Sequence, residues 1–445
     1  MKTHTSIWHN VCQYIGILII FVTFLAYHLT MDLGWGDDTF YLDTFNKNGL
    51  VAFLIQRYQN WSSRLLIDGV IGIIVHFPLV WKACNIFISL IIYKLMTIIL
   101  KASPKEEIFC AITIILYPFT DMNSAGWIAT CINYWWVLAT ALITIYYTNK
   151  YFTDTVSIFE KIILIISFLF SVNHEQVAVL IFIYLLWLPL KYLSQPHIVV
   201  WKNKVWLAII ICSIAGILFA AISPGNHVRM LANTEYWMPT FTNFSLIDKV
   251  YIAFYRIFVI FIAEPNLISL LFCILVFVSI YETTKNWLWR IIAFLPLTIQ
   301  GIYFFRPLIH DRLSKLDRIY ALFVVPPQIQ TIDWYDFNTW FIMLLLLVFI
   351  GSLILLIVQI YDSPITAINR VLFPLGIGII SCVILGFSPT IWASADRTAI
   401  FMYFILIYYI NVLWSQIKNK FIKNGIIILT IPFVLHIIYS TIINI

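Results

Sequence analysis

The chain has 445 residues, of which 62% are hydrophobic and only 11% charged, with a net charge of +6 and a mean hydropathy of +0.93. Soluble domains are nearer half apolar and about a quarter charged, so an ordinary soluble enzyme is excluded. The positive balance fits basic cytoplasmic loops better than nucleic-acid binding.

Apolar runs of about 20 residues recur from end to end, the length a helix needs to cross a bilayer. Backbone in lipid must satisfy itself in helices or closed barrels, and these runs do not alternate as barrel strands would. An all-α polytopic membrane protein is predicted. The seven cysteines, Cys12, Cys84, Cys110, Cys131, Cys212, Cys273 and Cys382, mostly lie in or beside apolar runs and are expected to act as small buried hydrophobes. Their spacing suggests neither a disulfide framework nor a metal site.

The first run, about 11–29, is long for a signal peptide and lacks a small-residue cleavage pattern, so a retained helix is expected. Lys2 before it sets the N-terminus inside, because Lys and Arg are enriched on cytoplasmic loops. "GWGDDTFYLD", residues 34–43, then falls outside, and no Lys or Arg stands between Asp32 and Lys47. A long polar loop is expected to follow. The next apolar piece, "RLLIDGVIGIIVHF", is short and holds Asp68 and His76. It is read as a juxtamembrane helix over about 64–77, lying on the outer surface.

That choice puts Lys101 and Lys105 inside, and the remaining spans alternate consistently. They are predicted at about 84–100, 107–119, 127–148, 159–171, 177–193, 205–222, 266–281, 288–304, 340–360, 371–387, 399–414 and 423–441. The segment at about 248–263 carries Lys249 and Arg256 and ends at Glu264-Pro265, so it is read as non-spanning. The total is about thirteen spans. Inner loops are then short and basic. Outer loops hold nearly all the Asp, Glu, Asn and His, and ionisable groups near membrane depth are expensive enough to suggest function.

Five stretches stand out. Asp37 and Asp38, with Tyr41 close by, can hold one carboxylate as a base of raised pKa. They can equally cap a helix beginning near Thr39. Asn173-His174-Glu175-Gln176 joins two helices, either as a solvated turn or with His174 and Glu175 turned into a shared cavity. "SPGNHVR", residues 223–229, contains a Pro-Gly turn signal and ends on Arg229, which could grip a phosphate or snorkel to lipid headgroups. "SPTIWASADR", residues 388–397, repeats that pattern and ends on Arg397. Arg64 and the group Arg306, Arg312, Lys315 and Arg318 are further cationic candidates. "GWIATCINYWW", residues 126–136, sets Asn133 among aromatics that could anchor the chain at an interface or flank a sugar ring or isoprenoid tail. The candidate site therefore has Asp37, Asp38 and Glu175 in catalytic roles. Tyr41, Arg64, Asn133, His174, Asn226, Arg229 and Arg397 are expected to bind substrate. No metal ligands are assigned.

This order of motifs resembles the GT-C membrane glycosyltransferases, and most of all the bacterial branch that decorates surface polysaccharide, including serotype-type glucosyltransferases. The likeness lies in "GDDTFY" after the first helix, a juxtamembrane helix before the second span, seven leading spans and "SPGNHVR" after the seventh. "SPTIWASADR" resembles a late element of that branch. The WWDYG stretch of oligosaccharyltransferases is absent. The resemblance implies a GT-C-like bundle with an outward-facing cavity. It divides the chain into a seven-helix catalytic module (1–222), an outer loop with a juxtamembrane helix (223–265) and a variable C-terminal transmembrane module (266–445). It implies an inverting transfer of sugar from a polyprenyl-phosphate donor to a surface glycan or glycolipid, at the outer face of a bacterial cytoplasmic membrane. One of Asp37 or Asp38 would deprotonate the acceptor hydroxyl, and Arg229 and Arg397 would stabilise the leaving phosphate. No cofactor is required, and a divalent cation (Mg or Mn) at the Asp pair is compatible but not demanded. A polysaccharide polymerase or ligase, and a lipid-linked sugar flippase, are the alternatives.

Overall fold

The computed structural model describes residues 2–192, 203–310, 325–361, 363–394 and 396–443, with side chains described from residue 14 onward and not for 307–310. All regular structure among the described residues is helical. Contacts divide the chain into two compact units, one of Met1–Asn233 with Val434–Ile445 and the other of Thr234–Phe433.

The first unit opens with α1 (Lys2–Thr30). After a short link comes α2 (Asp37–Asn60), then α3 (Leu65–Ile74) and α4 (Pro78–Leu100). The expected polar loop before Arg64 is thus mostly helix. It escapes a hydropathy reading because α2 mixes apolar and polar residues, and Gly49 breaks it with φ 70° and ψ 169°, a conformation open essentially to glycine alone. The short helix expected at 64–77 is present as α3. The unit continues with α5 (Pro104–Ile115), α6 (Trp127–Thr153), α7 (Ile158–Val172), α8 (Glu175–Lys191), α9 (Lys204–Ile222) and α10 (Pro224–Trp237), which runs across the division at 233. Local sequence fixes several starts. Ser103 with Glu106 and Ser157 with Glu160 form capping boxes, each satisfying two otherwise orphaned backbone donors. Pro224 begins α10 rather than ending α9 in a loop, as suits a residue with no N–H to leave unsatisfied. Arg229 therefore stands on a helix.

The second unit contains α11 (Leu246–Ala263), α12 (Leu267–Thr283), α13 (Trp287–His310), α14 (Phe337–Ile360), α15 (Pro364–Phe387) and α16 (Asp396–Gln416). The last helix, α17 (Lys420–Ile443), crosses the second division point. α11 and α12 are bent against each other by 77° at the Glu264–Asn266 break. The Asn266 side chain caps α12 by accepting from Ser269 N–H.

Among the described residues, eight helices are long and apolar enough to cross a membrane, or nine if the bent pair counts as one span. The chain is a polytopic helical membrane protein. Thirteen spans were expected; the difference comes largely from α5, α7 and α8, whose 12, 15 and 17 residues fall short of the usual crossing length. The segment at 248–263, expected to be non-spanning, is one arm of that bent pair, which is long and apolar enough to cross when the two arms are taken together. Of the basic group at 306–318, Arg312, Lys315 and Arg318 lie outside the described residues.

Candidate functional site

The acidic stretch is zipped to the start of α6. Asp37 N–H donates to Ala125 O at 2.8 Å, and Trp35 Nε1 donates to Asn123 Oδ1 at 3.1 Å. Asp38 Oδ2 accepts from Ile128 N–H at 3.1 Å and Oδ1 from Ala129 N–H at 2.8 Å. Gly126 makes this approach feasible: its φ is 105°, and a Cβ there would lie 2.8 Å from Asp38 Oδ1. The two acids thus have different surroundings. Asp37 is exposed. Asp38 is 3% exposed, and burial, with the Asp37 charge adding to it, pushes its carboxyl up to about 6 against the pull of the amide donors. Asp38 caps α6, although 90 residues separate the partners.

One helical turn further on, α6 carries a π-helical segment, Cys131–Trp135. Such bulges hold an extra residue in one turn and redirect the side chains beside it. Two indoles fix this one to α4: Trp135 Nε1 donates to Ser89 Oγ at 3.0 Å, and Trp136 Nε1 to Asn85 Oδ1 at 2.8 Å. Asn85 Nδ2 in turn lies 2.9 Å from His28 Nε2 on α1. Asn133, inside the bulge, donates to Ala129 O and accepts from Arg64 Nη1 at 3.0 Å.

Arg64 leads to the second half of the site. Its Nε donates to Glu175 Oε2 at 2.6 Å, and Arg229 Nη2 reaches Glu175 Oε1 at 3.2 Å. Ser63 Oγ donates to Glu175 Oε1 at 3.3 Å and accepts from Asn226 Nδ2 at 2.9 Å. Asn173 Oδ1 accepts from the N–H groups of Leu66 and Ile67, bracing the start of α3. Gly225 lets α10 lie against the end of α2; a Cβ there would stand 2.5 Å from Tyr58 O. Burial alone would raise the Glu175 carboxyl, but Arg64 and Arg229 reverse this and hold it far below the ordinary range. Burial first, and then the Arg64 charge, keep His174 well below its usual value and hence neutral. About a quarter of the Glu175 and Arg229 side chains remains exposed, 23% and 26%. A pocket of about 290 Å³ lies alongside, lined by Ser63 and Asn173 and by apolar side chains that include Leu66, Leu169, Val172 and Phe219.

Tyr41 is buried, at 3% exposure. Its hydroxyl donates to Asp68 Oδ1 at 2.5 Å and accepts from Arg57 Nη2 at 2.9 Å, while Arg57 Nε bonds Asp68 Oδ2 at 3.0 Å. Arg397 belongs to the second unit, beside Asp396, whose Oδ1 accepts from Arg256 Nη2 at 2.5 Å.

The sequence-derived candidates Arg64, Asn133, Glu175, Asn226 and Arg229 share one network, and Asp38 joins it through a turn of α6. Arg57, Ser63 and Asn85 were not foreseen. A signal existed for Arg57: Asp68 in an apolar helix demands a cation, and Arg57 precedes it by 11 residues. Among the described residues, no group of three or more His, Cys, Asp or Glu side chains could hold a metal ion. Both oxygens of Asp38 face amides, so a cation at the Asp pair would have Asp37 as its carboxylate ligand. No family model, curated protein or solved structure matches the chain.

Proposed function

We propose that the chain is an inverting membrane glycosyltransferase that moves a sugar from a polyprenyl-phosphate donor to a surface glycan or glycolipid. The observation that carries this reading is the shared carboxylate of Glu175 between Arg64 and Arg229, one turn of α6 away from the Asp37–Asp38 corner. Arg229 uses one of its five N–H donors on Glu175, and guanidinium groups with donors to spare suit a phosphate. The pocket beside Ser63 offers apolar wall to an isoprenoid chain.

In this reading Asp37 is the base, because it is exposed whereas Asp38 spends both oxygens on α6. Asp37 takes the proton from an acceptor hydroxyl. The hydroxyl oxygen bonds to the anomeric carbon as the bond from that carbon to the phosphate oxygen breaks. Polyprenyl phosphate leaves with the electron pair, its growing charge met by Arg64 and Arg229. Attack from the face opposite the leaving group inverts the anomeric centre. Glu175, held ionised between two arginines, orients them rather than moving a proton.

The test is transfer of labelled hexose from polyprenyl-phosphate donors by the purified chain in vesicles. Asp37→Asn and Arg229→Ala should each lower the rate on the order of a hundredfold, and the product should have inverted anomeric configuration. Donor crossing the bilayer intact, with no glycan labelled, would overturn the reading in favour of a flippase.

A further inference from the structure

The second unit holds a groove of about 200 Å³ that the transferase reading does not use. Its walls come from α11, α12, α14, α15 and α16, and α14 runs along it for about three turns, from Leu346 to Ile357. The lining is aliphatic and aromatic but for Ser269, and no charged side chain takes part. Ile354, in that lining, is exposed, so the groove reaches the surface of a helix long and apolar enough to cross the membrane. Gly376 widens it: a Cβ there would meet no atom within 4 Å.

Ser269 is the feature that calls for a ligand. It is 4% exposed, and its hydroxyl has no hydrogen-bond partner among the described residues. Its N–H donates to the capping Asn266 Oδ1 at 3.0 Å. It therefore stands in the first turn of α12, too early to return its hydroxyl to a helical carbonyl four residues back. Ser352 and Ser381, deeper in their helices, do bond their own turns, to Phe349 O at 2.9 Å and Gly378 O at 2.6 Å. An orphan hydroxyl among apolar groups is costly. Water does not relieve it, because a buried water needs two to four polar partners and this groove offers one. The acceptor must arrive with the occupant.

Hydrocarbon is the solvent around a spanning helix, and a chain drawn from it restores the dispersion contacts that an empty groove forfeits. The polar end narrows the choice. A phosphate would bring a charge with no cation along the lining to meet it, since Arg256, next to Ile257, is tied to Asp396. An ester carbonyl is neutral and sits at the head of an acyl chain. We propose that the groove binds one acyl chain of a bilayer glycerolipid, whose ester carbonyl accepts from Ser269 Oγ. The bound chain ties α14 and α15 to the bent pair of α11 and α12. The site is independent of the first unit and of its chemistry.

The experiment places the full chain in vesicles containing a phosphatidylcholine with a photoactivatable diazirine midway along one chain. That chain is joined to glycerol by an ester or, in a second preparation, by an ether, and crosslinks are mapped by peptide. Wild type should be labelled on the groove faces of α14 and α15, with the ester form favoured about fivefold, the worth of one net hydrogen bond. Ser269→Ala should bring that ratio to one. Gly376→Trp, which fills the groove, should abolish groove labelling by both forms and leave labelling at the exposed Leu347 unchanged. Ser269→Ala removes only a hydroxyl, so it reads the site even if Gly376→Trp fails to fold. An excess of polyprenyl phosphate should displace neither form. Equal labelling by the two forms in wild type, a ratio unmoved by Ser269→Ala, or groove labelling no stronger than that at Leu347 overturns the proposal. Displacement by polyprenyl phosphate overturns it too, and gives the groove to the sugar donor.

Discussion

Two adjacent aspartates with unequal burial make the chain's pH response local. Asp38 is buried and its carboxyl is raised to about 6, above the ordinary value of about 3.9. A carboxyl raised on folding binds its proton more tightly in the native state, so it adds stability that is fully present below about pH 4 and lost as pH rises through about 6. Asp38→Asn, which keeps the shape and stays uncharged, should flatten the melting-temperature profile between those limits. A wild-type profile already flat there would show that the amide donors, not burial, dominate. The Asp pair was legible in the sequence as a pair, and its ambiguity between base and cap was legible too. Which of the two caps a helix was not, because it depends on backbone amides at 128 and 129, whose approach depends on Gly126.

Among the elements, α2 and α3 are held together by a buried ion pair rather than by apolar packing alone. The Arg57 and Asp68 side chains are 9% and 1% exposed, and Tyr41 bonds both. Removing one partner leaves an uncompensated buried charge, which typically costs about 3–5 kcal/mol. Arg57→Met should therefore destabilise strongly. The double variant Arg57→Met with Asp68→Leu should recover most of the loss in thermal unfolding. No recovery would mean that the guanidinium matters for packing on Phe40 and Tyr41, whose ring centroids lie 5.6 and 4.9 Å from it. Helix starts were readable wherever a capping box or a leading proline marks them. α2 was not, because its apolar residues follow no clean period and Gly49 interrupts them. Arg229 was misplaced onto a loop for a related reason: Pro-Gly signals a turn equally well at the end of one helix and at the start of the next.

For the whole molecule, the membrane class follows from composition, while the number of crossings does not, because helices of 12–17 residues fall between the spanning and non-spanning lengths. Orientation can be tested within the first unit. α6 has 27 residues, about 40 Å at 1.5 Å per residue, and separates the Asp37–Asp38 corner from Asp154 at its far end. A membrane-impermeant maleimide applied to right-side-out vesicles should label Asp43→Cys and not Asp154→Cys until the vesicles are opened. The opposite pattern would place the arginine network on the cytoplasmic face. The meeting of Arg64, Glu175 and Arg229 could not be counted from the chain: each was visible in its own short motif, but their convergence depends on three helix ends that only the folded unit defines.

The wider helical turn at Cys131–Trp135 has a consequence for how this unit can vary. Such a turn differs from a regular one by a single inserted residue, so losing Ile132 would let the helix close normally. The helix beyond the gap would keep its facing, with Trp135 and Trp136 still on their hydroxyl and amide anchors on α4, and only the residues inside the turn would be re-aimed. The same span would still cross the membrane, while the amide facing Arg64 would point elsewhere. Length at this one place, more than residue identity along the span, therefore separates a working copy from one that is merely well folded.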